Sequence, residues 1–232
     1  SILKEIPEKT FFVFSKDLFP KLMDKKIKIK AYIAKGYWRD IGNISEYKHA
    51  HRDILRCYVK LHITGRRLNI LGQDVRCDEN VVIKDNINFV GTVIIGKNSF
   101  IDDDCKIENS VIGKNVKIEK GVVIKNSIIW DKAVINKKSR LHENIIGYGA
   151  SIGRHCYISE GAVVSDLVKV GDEVVINPGI KIWPEKTIEN GSIVDKSLVW
   201  GERWNKNLFG NYGVTGIANL EIHPEFAAKL GS

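Results

Sequence analysis

Apolar residues recur at every sixth position through the middle of the chain. Ile83, Phe89, Ile95, Ile101 and Ile107 form one series, and Ile112, Ile118 and Ile124 form the next. Ile129, Ile135 and Leu141 follow, then Ile146, Ile152, Ile158 and Val164, then Val170, Ile176 and Ile182. Four residues after most of them stands a small or β-branched residue: Ser99, Cys105, Val111, Val116, Val122, Ala133, Ser139, Ala150, Cys156, Ala162 and Val174. Glycine often follows the aliphatic residue directly, as at Gly96, Gly113, Gly147, Gly153 and Gly171. A period of six matches neither the helix nor the long strand. It predicts a parallel solenoid over roughly residues 77–182, each coil being three short strands joined by tight turns. The aliphatic residue points inward and the small one sits at the corner. Coils stack about 4.8 Å apart, so inward residues form columns. Each buried Ile or Val contributes about 1.5–3 kcal/mol against the entropy of ordering a short strand.

The period slips to five between Ile107 and Ile112, Ile124 and Ile129, and Leu141 and Ile146. These slips are 17 residues apart, so a coil reads as six, six and five residues with one shortened corner. The echo is direct in Glu108-Asn109-Ser110, Lys125-Asn126-Ser127 and His142-Glu143-Asn144. Ile95, Ile112, Ile129 and Ile146 should share one column. Cys105 and Cys156 fall at the small corner position and read as packing residues. His142 and His155 lie within uninterrupted repeats and read as solvated outward side chains.

Ahead of the repeats, Ser15 is placed to cap a short helix beginning at Lys16. Ile27, Ile29, Ala31 and Ile33 alternate with Lys28 and Lys30, which predicts a strand over about 27–34 with a solvated lysine face. A turn at Lys35-Gly36 follows. Ser45 then caps a second helix with Tyr47, Ala50, Ile54, Leu55 and Tyr58 on one face. Trp130, Trp183, Trp200 and Trp204 read as covers for the solenoid's open end, where strand edges would be unpaired.

Composition narrows the class. The 232 residues are 44% hydrophobic and 28% charged, which fits a soluble globular protein and not a disordered one. No apolar run is long enough to span a membrane, and the first residues lack a signal-peptide pattern. Four scattered cysteines form neither a disulfide framework nor a zinc ribbon and fit the cytoplasm. The net charge of +8 favours anions such as a nucleotide or sugar phosphate. No nucleic-acid-binding motif accompanies it.

The six-residue period resembles the hexapeptide repeats of left-handed parallel β-helices. The left hand is implied by that resemblance alone. The fold class expected is mainly β: a single-stranded left-handed parallel β-helix with a short α/β N-terminal segment. Phe14-Ser15-Lys16-Asp17-Leu18-Phe19-Pro20 and Gly36-Tyr37-Trp38-Arg39-Asp40-Ile41-Gly42 resemble the end of the catalytic domain of sugar-1-phosphate nucleotidyltransferases of the mannose-1-phosphate guanylyltransferase kind. The resemblance implies that Asp40 occupies the position of an aspartate that helps hold catalytic Mg2+, and that the substrates are a nucleoside triphosphate, here GTP, and a sugar 1-phosphate, here mannose 1-phosphate. The family's glycine-rich, arginine-bearing nucleotide loop is absent from this sequence, so the chain reads as a fragment, inactive alone. Leu208-Phe209-Gly210-Asn211-Tyr212-Gly213-Val214-Thr215-Gly216-Ile217-Ala218-Asn219, followed by His223-Pro224-Glu225-Phe226, resembles the opening of an α-D-phosphohexomutase, with Thr215 where that family usually carries arginine. The organisation expected is residues 1–70 as the end of a nucleotidyltransferase domain, 71–196 as the β-helix, and 197–232 as a linker and the start of a mutase-like domain. The β-helix would serve assembly, as a homo-oligomer, or regulation, with neither nucleic acid nor membrane as a partner. The alternatives are a hexapeptide acyltransferase, which usually needs a catalytic His near a protruding loop, and a non-catalytic scaffold.

Overall fold

The computed structural model describes residues 2–61, 63, 65–70 and 72–199. They fall into two compact units, one ending at Trp38 and one beginning at Arg39.

The first unit is small. A 3-10 turn, Ile2–Glu5, precedes a wide π-type turn, Phe14–Leu18, that runs into helix α1, Phe19–Asp24. Leu18 and Leu22 are its buried apolar residues. The Glu5 carboxylate ties it together, lying 3.1 Å from Lys21 Nζ and 2.6 Å from Lys25 Nζ. Two expectations are corrected. Ser15 does not cap: the helical path already includes Phe14, and the Asp17 carboxylate accepts the Val13 N–H at 2.7 Å. Residues 27–34 form no strand. Alternation yields a strand only where a neighbour satisfies the backbone, and no described segment pairs with this one; Ile27, Ile29, Tyr32 and Ile33 are exposed.

The second unit opens with helix α2, Ile44–Leu55. Its cap is Asn43, not Ser45. Asn43 is extended, at φ −152°, and its side chain accepts the Glu46 N–H at 2.9 Å, the geometry in which a short polar side chain satisfies an orphan donor of the first turn.

The remainder is a three-sided parallel β-solenoid, the fold of the left-handed hexapeptide β-helix. It begins with strands β1, Arg66–Ile70, and β2, Gln73–Cys77. Coil follows coil to the strand Ile193–Val194, with one further bridge between Ile182 and Leu198. It therefore runs past both expected ends. Three sheets of eight, seven and seven described strands form its faces. The first face stacks Cys77, Ile95, Ile112, Ile129, Ile146, Val164 and Ile182 in one inward column, so the four expected column-mates are in register. The second face carries Ile101, Ile118, Ile135 and Ile152, and the third Ile107, Ile124, Leu141 and Ile158. All of these are essentially sealed from solvent.

The 17-residue coil is local. Ile95, Ile112, Ile129 and Ile146 are separated by 17, but Cys77 pairs with Ile95 and Ile146 with Val164 across 18. The missing residue comes from the corner between the third and first faces. There Asn109, Asn126 and Glu143 adopt φ of 43°, 49° and 54°, whereas the longer corners place Gly161 and Gly179 at 76° and 71°. The shortened corner also moves the buried small side chain. Val111 is an outward strand residue, and Ser110, Ser127 and Asn144 fill the corner instead. They form a ladder: Ser110 Oγ accepts the Ser127 N–H at 3.1 Å, and Ser127 Oγ accepts the Asn144 N–H at 3.0 Å. Each hydroxyl satisfies a backbone donor that the tight turn buries.

Candidate functional site

Asp40 lies on the exposed segment leading into α2. Its neighbour Arg39 anchors that segment: the guanidinium bonds Glu46, and Nη2 lies 2.9 Å from Asp53 on the next turns of the helix. The Arg39 guanidinium lowers the Glu46 pKa by hydrogen bonding and charge. Asp40 itself stands apart from this network. Among the described residues no three His, Cys, Asp or Glu side chains gather as a metal site. Mg2+ is usually held by one or two carboxylates together with water and phosphate oxygens. Asp40 therefore does not make a metal centre alone among the described residues.

The helix that follows lies against the first face of the solenoid. The outward residues of that face are Ile94, Val111, Ile128, Ile145 and Val163, the partners of the inward column. The other two faces mix Lys117, Ser151, Lys169, Lys106, Arg140 and Tyr157 with Val82, Phe100, Val123, Val134 and Val175 at equivalent positions. Ile128 and Ile145 are 6% and 7% exposed although they point away from the solenoid axis. Tyr47 sets its ring 6.3 Å from Trp130 and 4.6 Å, edge-on, from His51. Burial lowers the His51 pKa and raises that of Tyr47. Trp130 thus supports α2 and does not close an end of the solenoid. Trp183 follows the last strand of the first face and is partly exposed, while Trp200 and Trp204 lie outside the described residues.

Two hollows line this seam. One, of about 520 Å³, lies between Tyr47, His51, Trp130 and Tyr148. The other, of about 250 Å³, lies beneath the second half of α2, against the shortened corner. The sequence signal for the seam is that the apolar pairs Ile94-Ile95, Val111-Ile112, Ile128-Ile129, Ile145-Ile146 and Val163-Val164 run through five successive coils, whereas on the other faces pairs such as Phe100-Ile101, Val123-Ile124 and Val134-Ile135 are interrupted by Lys117-Ile118, Arg140-Leu141 and Ser151-Ile152. An uninterrupted run of strands apolar on both sides favours a cover on both sides.

The remaining candidates fall where the repeats put them. His155 is exposed at a corner with φ 55°. His142 is half-buried, its Nδ1 3.9 Å from Glu160. No loop protrudes beside either among the described coils. Cys105 and Cys156 are buried at corners, and burial pushes the Cys105 thiol up to about 11, so neither is a ready nucleophile. The mutase-like segments, Leu208–Asn219 and His223–Phe226 with Thr215, lie outside the described residues. Among the described residues no helix is long and apolar enough to cross a membrane.

Residues 72–176 match the family model described as "EIF2B subunit epsilon LbH domain", a left-handed β-helix module. The chain is also similar to glucose-1-phosphate adenylyltransferases. Those of Bacillus mycoides (strain KBAB4) and Bacillus anthracis are each 28% identical to it over 177 residues, which is 76% of this chain and 40% of theirs. The chain thus spans about two-fifths of the length of the curated relatives it matches. Among solved structures, PerB from Caulobacter crescentus, in complex with CoA and GDP-perosamine, matches over 53% of this chain and 50% of its own, at 19% identity and a TM-score of 0.37. The acetyltransferase domain of PglB from Neisseria gonorrhoeae matches over 58% and 62%, at 11% identity and a TM-score of 0.32.

Proposed function

We propose that this chain is part of a nucleotide-sugar-forming enzyme. In that reaction an oxygen of a sugar 1-phosphate attacks the α-phosphorus of a nucleoside triphosphate. A new phosphoanhydride bond forms, the α–β bond breaks, and pyrophosphate leaves. The observation that carries the reading is the reach of the similarity to glucose-1-phosphate adenylyltransferases. At 177 residues it exceeds the described solenoid and so extends into a flank. A likeness confined to the coils would speak only for the fold.

GTP as the nucleotide donor and mannose 1-phosphate as the acceptor rest on the Phe14–Pro20 and Gly36–Gly42 segments. The cytoplasm as the location rests on the four scattered cysteines, and a mutase-like domain beginning within residues 197–232 rests on the Leu208–Asn219 and His223–Phe226 segments. Asp40 would supply one carboxylate to Mg2+, which neutralises phosphate charge when bound. The solenoid serves assembly into a homo-oligomer. A β-helix offers flat, regular faces, and the family model that matches it describes a domain of a subunit.

The test is pyrophosphate release from GTP, mannose 1-phosphate and Mg2+, by the full reading frame containing this chain and by the chain alone. The full protein should turn over, Asp40→Asn should slow it at least about a hundredfold, and the chain alone should be silent. No release from any pairing of nucleoside triphosphate with hexose 1-phosphate would remove the reading. Sedimentation addresses assembly. A chain that stays monomeric at tens of micromolar, above the low-μM Kd of a weak interface, has no assembly role.

A further inference from the structure

The smaller hollow is unusual in its charge. Lys48 and Arg52 of α2 and Arg56 at its C-cap follow at successive intervals of four and so share one side of the helix. Asn109, Asn126 and Glu143 come from the shortened corner opposite. Several other arginines in this unit meet carboxylates: Arg39 with Glu46 and Asp53, Arg67 and Arg76 with Asp74, Arg154 with Asp172. Lys48, Arg52 and Arg56 make no ion pair among the described residues, although Lys48 and Arg52 are half-buried. His51 also lines the hollow, and burial disfavours its charged form. Glu143 is the one acidic residue in the lining, so the site keeps a surplus of two positive charges.

We propose that this hollow binds a phosphate-bearing small anion, of the size of a diphosphate or a compact phosphomonoester. Two guanidinium forks recognise phosphate oxygens in pairs, and Lys48 adds a point charge. The corner asparagines add neutral donors. The Asn109 side-chain oxygen already accepts the Thr92 N–H at 3.3 Å, which leaves its NH2 group for a ligand. A volume of about 250 Å³ admits such an anion but not a folded peptide segment. The inference does not depend on the nucleotidyl-transfer reading, because it rests on charge and geometry within this chain.

Calorimetry with inorganic pyrophosphate and inorganic phosphate, at fixed ionic strength, tests it. Saturable binding should appear, stronger for pyrophosphate. Arg52→Gln should weaken it at least about tenfold, which corresponds to about 1.4 kcal/mol. Glu143→Gln should tighten it several-fold, a gain that a purely structural role for the basic residues would not produce. Circular dichroism and melting confirm that each variant is folded. The absence of saturable binding to the unmodified chain at about 10 mM, weaker than the mM affinities of the poorest specific sites, overturns the proposal. So does binding that Arg52→Gln and Glu143→Gln leave unchanged, which marks general charge screening.

Discussion

Truncating Ile128 to alanine tests whether α2 sits on the solenoid in solution. Ile128 and Ile129 are adjacent in one strand and point to opposite sides. Ile129 is sealed in the core, and Ile128 is 6% exposed only because the helix covers it. Removing a buried isoleucine side chain to Cβ costs about 2–5 kcal/mol. Ile128 lies beside two hollows, so its surroundings collapse more readily, and the lower half of that range applies, about 2–3 kcal/mol. For a chain of this size that lowers Tm by roughly 5–10 °C. Val134, outward on the uncovered second face and half-buried, is the control, and Val134→Ala should cost under about 1 kcal/mol. Urea unfolding followed by circular dichroism gives the global cost, and Trp130 fluorescence reports the seam, since its ring meets Tyr47. Solenoid coils can unfold in blocks, so the two probes are read separately. Tyr47→Ala combined with Ile128→Ala should show coupling of about 0.5–3 kcal/mol. An Ile128→Ala cost equal to that of Val134→Ala, with no coupling to Tyr47, would refute the seating of α2.

Gly153→Ala should destabilise by more than an ordinary surface change. A Cβ built there stands 2.1 Å from the Gly171 carbonyl oxygen of the next coil, and a melting curve lowered less than that of Ile129→Val would contradict the close stacking. Thiol labelling at about pH 8, below the ordinary cysteine pKa, should modify exposed Cys57 rapidly and leave Cys105 and Cys156 protected until unfolding; rapid labelling of all four in the native state would show that the corners open. Arg39 lowers the Glu46 pKa, so folding holds that proton less tightly than the unfolded chain does. The contribution is present above the unfolded glutamate pKa and is lost as pH falls through the lowered folded value. Arg39→Gln should raise the Glu46 pKa measured by NMR titration and flatten that acid dependence; an unchanged Glu46 titration would sink the contact.

The solenoid was legible because its core is one-dimensional. An inward isoleucine every sixth position leaves no other compact arrangement, and the slips at Ile107, Ile124 and Leu141 located the shortened corner. What lay behind the slip was less visible. The corner residue moves by one when the turn shortens, so Val111 exchanged roles with Ser110. Caps were misassigned at both helices for a related reason. Ser45 and Asn43 both carry short polar side chains, and only the backbone path decides which one precedes the first turn of α2. The lysine-flanked alternation at 27–34 is a local pattern, while a strand needs a neighbour that local sequence does not specify. The candidate site divides the same way. Asp40 came from a motif, but the basic hollow joins residues of α2 to corners more than fifty positions away, a juxtaposition that no spacing rule encodes.

The first strand of the solenoid has a consequence for growth. β1 runs antiparallel to β2, with Leu68 opposite Val75 and Ile70 opposite Gln73, while every other paired strand of that face is parallel. A second copy stacked head to tail would have to present parallel strands to all three sides at once, in register. β1 occupies one of those sides with a strand of reversed direction, so the template is broken there. Open-ended fibre formation through repeated coils, the standing hazard of exposed strand edges, is checked at this end by direction alone, with no need for a charged or bulky plug.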